Sequence, residues 1–319
     1  MRVLVFGGNG FIGANLVQWL ARDPKEKVRL FHRPGAFLGH LDGLDIERVA
    51  GELTNEAQLV AAMTGCDLVF NLAGCGSNAR EHIRQRVEVN VEAAARVARV
   101  VRQAGLRLVH VSSIAAIGRP ARGQIADESM AFNMESDHYA LTKHQGETAV
   151  LQEHARGLDV VVASPGNVVG GFAMKAGQKS NFKAIASGRM LFYPPGGVCL
   201  TDIDDLVQGL WLCGERGKSG RRYILGGENV TFREYFREIA LATRGKIPSI
   251  RLPATLLPML GWGVETAFNV LGRNPPLTYE AADLIARFLY YSSRRAQEEL
   301  GYAIGDWRQA VAKAAQAVS

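Results

Sequence analysis

The stretch VLVFGGNGFIGANLVQWL, residues 3–20, decides the fold. Four apolar residues, Val3 to Phe6, run into Gly7, Gly8 and Gly10, and beyond Gly13 apolar positions recur with a helical period. A strand must therefore hand over to a helix within a few residues. Glycines at 7, 10 and 13 suit such a hand-over when a charged group rests on it. The chain turns sharply, the backbone approaches the group with no Cβ in the way, and the helix packs close to the strand. The first helical amides, those of Phe11 and Ile12 among them, then face an anion, and a pyrophosphate fits. The spacing alone is a weak signal. Its place after the first strand of a strand–helix–strand unit gives it force.

Working outward, short apolar runs at 28–31, 67–73, 108–113 and 160–164 read as buried parallel strands. Helical patterns lie at 13–22, 55–64, 84–104 and 139–156. This alternation predicts an α/β fold, a Rossmann doubly wound parallel sheet covered on both faces. After Pro165 the pattern breaks into a Gly- and Pro-rich stretch to about residue 200. The segment TDIDDLVQGLWL (201–212) returns to helix, RRYILGG (221–227) reads as another strand, and TFRE (231–234) is a capping box opening a helix to about Thr243. The expected organisation is a nucleotide-binding domain over 1–164, to which 198–227 returns, and a smaller C-terminal substrate-binding lobe mainly within 165–319.

Composition narrows the classes. The chain has 319 residues, 47% of them hydrophobic and 21% charged, as in an ordinary globular protein. Its formal charge of +6 suits anionic small ligands, and without a run of five Lys/Arg no nucleic-acid partner is expected. Cys66, Cys75, Cys199 and Cys213 form no C-x-x-C site, so no metal is expected and the thiols read as reduced, in a cytoplasmic protein. The first apolar run is cut by glycine after four residues, so no signal peptide is expected, and no run of 18 apolar residues predicts a membrane span.

The second strand ends LFHRPG, with His32 and Arg33 at the tip where a carboxylate would bind the ribose hydroxyls of NAD. A guanidinium there pairs with a 2′-phosphate, so NADP is expected in preference to NAD. HVSSIAAIG (110–118) puts Ser112 and Ser113 at the carboxyl end of a strand, and YALTK puts Tyr139 and Lys143 at i and i+4 on one helix face. A tyrosine beside an ammonium and an oxidised nicotinamide should have a lowered pKa. It would then serve as general acid/base for alcohol–carbonyl interconversion, with a serine hydroxyl on the same substrate oxygen.

GGNGFIG, GELTN (51–55), DLVFNLAG, VNVEAAARV, VSSIAAIG, YALTK, SPGNVVGG and RRAQEELGY occur in that order. Through them essentially the whole chain resembles the extended short-chain dehydrogenases/reductases, which include nucleoside-diphosphate-sugar epimerases, dihydroflavonol 4-reductases and hydroxysteroid dehydrogenases. The resemblance implies bound NAD(P) and a catalytic Ser113, Tyr139 and Lys143, with Lys143 also holding the nicotinamide ribose. It further implies Glu52 and Leu53 at the adenine, Ala73 near the phosphates and ribose, and Pro165 and Val168 near the carboxamide. Family members often dimerise through two helices, here 84–104 and 139–156, which makes a homodimer an expectation. The chain departs from its relatives at three places. Glu52 stands where Asp is usual, Ser164-Pro165 where many sugar epimerases read Arg-Pro, and Ile114-Ala115 where sugar dehydratases carry an Asp-Glu pair. The last argues against water elimination.

The expected activity is NAD(P)-dependent hydride transfer at an alcohol/carbonyl carbon, of the dihydroflavonol-reductase kind. The alternatives are a nucleoside-diphosphate-sugar epimerase that keeps its cofactor and, more remotely, a non-catalytic NADP-binding regulator. Arg221, Arg222, Arg251 and Arg273 could meet a substrate diphosphate, though each reads first as a surface charge. The apolar stretch LPATLLPMLGWGVETAFNVL (252–271) reads as lobe core, and Cys75, Ser77, Asn167 and Tyr193 as pocket residues for a small-molecule substrate.

Overall fold

The computed structural model describes residues 1–76, 82–171, 176–273, 275 and 277–316. Its first half alternates strand and helix. The strands are β1 (Arg2–Phe6), β2 (Lys27–His32), β3 (Glu47–Ala50), β4 (Leu68–Asn71), β5 (Arg107–Val111) and β6 (Asp159–Pro165). The helices between them are α1 (Phe11–Leu20), α2 (Glu56–Met63), α3 (Ile83–Val87), α4 (Ala94–Gln103) and α5 (His138–Ala155). In the second half lie β7 (Asn167–Val169), β8 (Phe192–Tyr193), β9 (Gly197–Asp202), β10 (Arg222–Leu225), β11 (Glu228–Thr231), β12 (Ile250–Arg251) and β13 (Phe288–Leu289). The helices there are α6 (Ala176–Ala186), α7 (Ile203–Arg216), α8 (Phe232–Thr243), α9 (Leu256–Val270), α10 (Tyr279–Ile285), α11 (Arg294–Leu300) and α12 (Trp307–Gln316).

Seven strands form one parallel sheet in the order β10-β6-β5-β4-β1-β2-β3. Alternate residues of each strand serve opposite faces. Val3 and Val5 pack under α1 and α7, while Leu4 and Phe6 pack under α2 and α4, which is why these strands read as unbroken apolar runs. Strand order reverses between β1 and β4, and at such a switch point α/β sheets open a crevice at the carboxyl edge. A smaller sheet, β11-β9-β13 with β7 on β9, and the pair β8–β12 lie outside the main sheet. The side chains of α8, α12, β9 and β11 share a separate apolar core.

The helical pattern at 84–104 is a rod with a wide turn in it. α3 and α4 flank a π-helical stretch, Glu88–Ala93. Such turns rotate a side chain out of helical register, often at functional sites. Gly146 of α5 is pressed against this turn, and a Cβ there would lie 1.8 Å from the Asn90 carbonyl oxygen. Gly146→Ala should therefore push α5 off the π turn. The expected loss is about 1–3 kcal/mol in denaturant unfolding, the usual scale of overpacking. A variant as stable as the parent would show that the contact is looser than described.

Candidate active site

The glycine loop leads from β1 into α1. Gly7 has φ +75°, and a Cβ there would sit 2.5 Å from the Ala73 amide nitrogen. A Cβ on Gly13 would sit 2.3 Å from the Gly7 carbonyl oxygen. Gly10 is the N-cap of α1 and brings no side-chain cap, and no acidic residue occupies the first turn. By contrast α2, α5 and α7 are capped by Asn55, Asp137 and Asp202. The first amides of α1 thus stay available to an anion in a cradle that any side chain would fill. These residues fit a dinucleotide pyrophosphate.

At the tip of β2, His32 Nδ1 is hydrogen-bonded to the Arg33 carbonyl (3.0 Å), and Arg33 is exposed. Among the described residues Arg33 makes no ion pair. The adjoining β3 pairs Ala50 with His32, which brings Glu52 and Leu53 beside this tip. Glu52 is exposed and its amide donates to Gln58 Oε1 (2.8 Å). Leu53 packs on the core under α2 and α4.

Ser113 follows β5 in extended conformation, and its Oγ accepts from the Ala115 amide (3.2 Å). Its hydroxyl lies close enough to the Tyr139 phenol to lower that group's pKa. One helical turn on, the buried Lys143 donates from Nζ to the Val111 carbonyl (2.9 Å). Tyr139 and Lys143 line one cleft with Gly7, Gly10, Ile12 and Cys75. Burial raises the Tyr139 pKa. The Ser113 hydroxyl opposes this, and the nearby Asp137 and Cys75 add to it. The sign is the reverse of the sequence expectation, because burial outweighs what favours phenolate within the chain. A positive charge brought into the cleft would act the other way. His110, fully enclosed beneath the site, is lowered to about 3 by burial and then by the Lys143 charge. Its ring stays neutral at ordinary pH and cannot compete with Tyr139 as proton donor.

The two serines have different partners on α5, and Ser112 lines the cleft with Tyr139 and Lys143. Ser113 is the one that acts on Tyr139. Ser112 donates to Glu147 Oε2 (2.6 Å), and the other carboxylate oxygen of Glu147 takes the Arg222 guanidinium. Glu147 lies on α5 one turn beyond Lys143, so this buried pair fixes the catalytic helix to β5 and β10. Asn90 performs a similar task at the cleft wall. Its Oδ1 accepts from the Cys75 amide (2.8 Å), and its Nδ2 donates to the Cys75 carbonyl and the Thr142 hydroxyl, each at 3.1 Å. Neither residue was singled out from sequence. Both had a signal there: Asn90 interrupts the apolar face that carries Val87 and Ala94, and Glu147 shares a helix face with Tyr139 and Lys143.

Of the four residues expected to line a substrate pocket, the three that are described do not share one cavity. Cys75 is in the cleft with Tyr139. Asn167 lines a separate lobe cavity with Gln178, Phe192, Tyr235 and Leu252. Tyr193 packs on the lobe core, and Ser77 lies outside the described residues. Pro165 ends β6 opposite Leu225, and Val168 is buried in the core beneath α1 and α7. Phe11 connects the two regions, since it lines the cleft and packs on the lobe core.

A switch-point cleft with a glycine loop on one wall and, on the other, a half-buried tyrosine one helical turn from a buried lysine defines a nucleotide-dependent enzyme of dehydrogenase type. Residues 3–226 match the model of the NAD dependent epimerase/dehydratase family, and the chain belongs to that family of NAD(P)-dependent enzymes. It is 31% identical over 322 residues to sterol demethylase protein B of Methylococcus capsulatus, covering 98% of this chain and 97% of that one. It is 30% identical over 318 residues to a Synechocystis protein provisionally named dihydroflavonol 4-reductase, covering 97% and 92%. Among solved structures, that of gox2253 superposes with a TM-score of 0.86 at 28% identity over 98% of this chain and 96% of that one.

Proposed function

We propose that the chain is an NADP-preferring reductase/dehydrogenase that interconverts an alcohol and a carbonyl on a small or hydrophobic substrate. The observation that carries this reading is the meeting of Tyr139 and Lys143 on the cleft below the glycine loop, with the Ser113 hydroxyl close enough to Tyr139 to act on its pKa. The nicotinamide, when bound, supplies or accepts the hydride. Tyr139 holds the proton on its phenol oxygen and passes it to the substrate oxygen. Ser113 orients that phenol, and its hydroxyl is within reach of the same substrate oxygen. Lys143, tethered to Val111, keeps a positive charge behind the phenol and favours phenolate during proton release. Arg33 would pair with the 2′-phosphate, and the amides of Phe11 and Ile12 with the pyrophosphate.

Two observations favour a hydrophobic carbonyl over a sugar nucleotide. Arg222 is paired with Glu147 and Arg221 with Glu299, so half of the arginines available for a diphosphate are already engaged. The lobe cavity is lined mainly by apolar side chains, Phe192, Leu200, Phe232 and Phe236 among them. Relatives named for a sterol and for a dihydroflavonol agree with that chemistry.

Arg33→Ala should weaken NADPH binding about tenfold and leave NADH binding nearly unchanged, the scale of one charge-assisted contact. Equilibrium titration of both cofactors at one salt concentration checks this, and an equal response of the two would remove the NADP preference. The reductase reading itself is tested by cofactor exchange. Protein loaded with NADP and passed through a desalting column should lose it, because a reductase renews its cofactor each turnover. Retention of stoichiometric cofactor through repeated turnover would favour the epimerase.

A further inference from the structure

Glu265 is the only ionisable residue in α9. The sequence suggests lobe core for this stretch, but the fold packs α9 chiefly on α10. Leu257 and Gly261 are buried there, with a Gly261 Cβ position only 2.7 Å from the Thr278 carbonyl oxygen. The opposite side is open. Met259 is 67% exposed, Trp262 65% and Val270 83%, and Leu256 and Leu260 accompany them. The chain enters α9 directly from the β8–β12 pair, where Phe192 and Ile250 are also exposed. Scattered apolar side chains on a surface need no explanation, but a continuous apolar helix face marks an interaction site.

We propose that α9 and the adjoining β8–β12 pair form a docking face for an anionic lipid surface. Charge argues for that occupant. Residues 244–273 carry Arg244, Lys246, Arg251 and Arg273 against the single acid Glu265. Among the described residues none of these four cations makes an ion pair, and Glu265 accepts from the Tyr279 amide at the start of α10. A second copy of the chain is a poorer fit. A two-fold interface would set these four cations of one copy near the same four of the other, with Glu265 the single acid of the segment. Exposed Trp262 suits the headgroup boundary. No helix among the described residues is long and apolar enough to cross a membrane, so α9 lies along the surface rather than through it. The face also borders both lobe cavities, since Arg251, Ala254 and Thr255 line one and Phe192 and Leu252 the other.

Vesicle flotation tests this independently of the reaction assigned above. The full chain should float with phosphatidylcholine vesicles containing about 30% phosphatidylglycerol, and bind pure phosphatidylcholine roughly tenfold less well. Met259→Glu/Trp262→Glu should lower binding to the anionic vesicles at least about tenfold. Its NADPH affinity should match the parent, which shows the variant folded. Lys246→Glu/Arg273→Glu should weaken binding to the anionic vesicles and not to the neutral ones. The proposal is overturned if the parent fails to float, or if Met259→Glu/Trp262→Glu floats as well as the parent. It is equally overturned if sedimentation shows a dimer that this variant dissolves, since a second copy would then cover the face.

Discussion

Tyr139→Phe should lower turnover by about 10²-fold or more while the protein folds and binds NADPH as before. The substitution removes one oxygen from a residue whose ring is otherwise held by packing. Ser113 loses a neighbouring phenol hydroxyl but keeps the contact with the Ala115 amide, so the turn after β5 stands. Among the described residues, His110 and Lys143 are poor substitutes as proton donor. His110 is lowered to about 3, so at neutral pH it holds no imidazolium proton acidic enough to give. Lys143 donates to Val111. The pH dependence follows from the sign of the Tyr139 shift. Burial raises its pKa, so the protonated phenol needed for carbonyl reduction persists through neutral pH and is lost only as pH rises through the shifted value. Reduction by the parent should therefore fall at high pH, and that limb should vanish from the small residual rate of the Phe variant. Full turnover by Tyr139→Phe on a true substrate would exclude the tyrosine as proton donor.

Arg222→Ala should be the most destabilising single change near the site, costing about 3–5 kcal/mol. Glu147 is 1% exposed and faces Ser112 on one oxygen and Arg222 on the other. Removing the guanidinium strands a carboxylate inside the protein, and a single serine hydroxyl cannot replace the lost solvation. The double change Arg222→Met/Glu147→Leu should recover most of the loss, because it removes the charge as well as its partner. Denaturant unfolding of both variants decides. A double variant no more stable than Arg222→Ala would mean that packing, rather than the stranded charge, sets the cost.

Much of this arrangement is legible in the residues. The glycine loop stands out because three backbone-limited positions fall in one strand-to-helix turn, and Tyr139 and Lys143 because helical periodicity alone puts i and i+4 together. Both faces of the main sheet are buried, so its strands appear as apolar runs. Other features depend on contacts between distant segments. Ser112 and Ser113 stand side by side in the sequence, and which one acts on Tyr139 is fixed by the placement of α5 across β5. The π turn at Glu88–Ala93 leaves no mark in an apolar pattern that still reads as helix. The Tyr139 shift has the opposite sign because burial is a property of the packed cleft, not of the neighbouring letters. Asn167 falls in a lobe cavity rather than beside Cys75 because β7 turns away to pair with β9. The stretch 252–271 is apolar enough for a core, yet among the described residues it is chiefly α10 that covers it, and one side of the helix remains open.

Hydride destination tests the central claim most directly. NADPH deuterated at nicotinamide C4 is incubated with the enzyme and a panel of apolar ketones, and the products are read by mass spectrometry. A reductase of the kind argued here leaves one deuterium on the carbinol carbon of each product molecule and releases one NADP, and Tyr139→Phe does so far more slowly. Conversion of a sugar nucleotide to its epimer with no net loss of NADPH, and no deuterium in any ketone-derived alcohol, would contradict it.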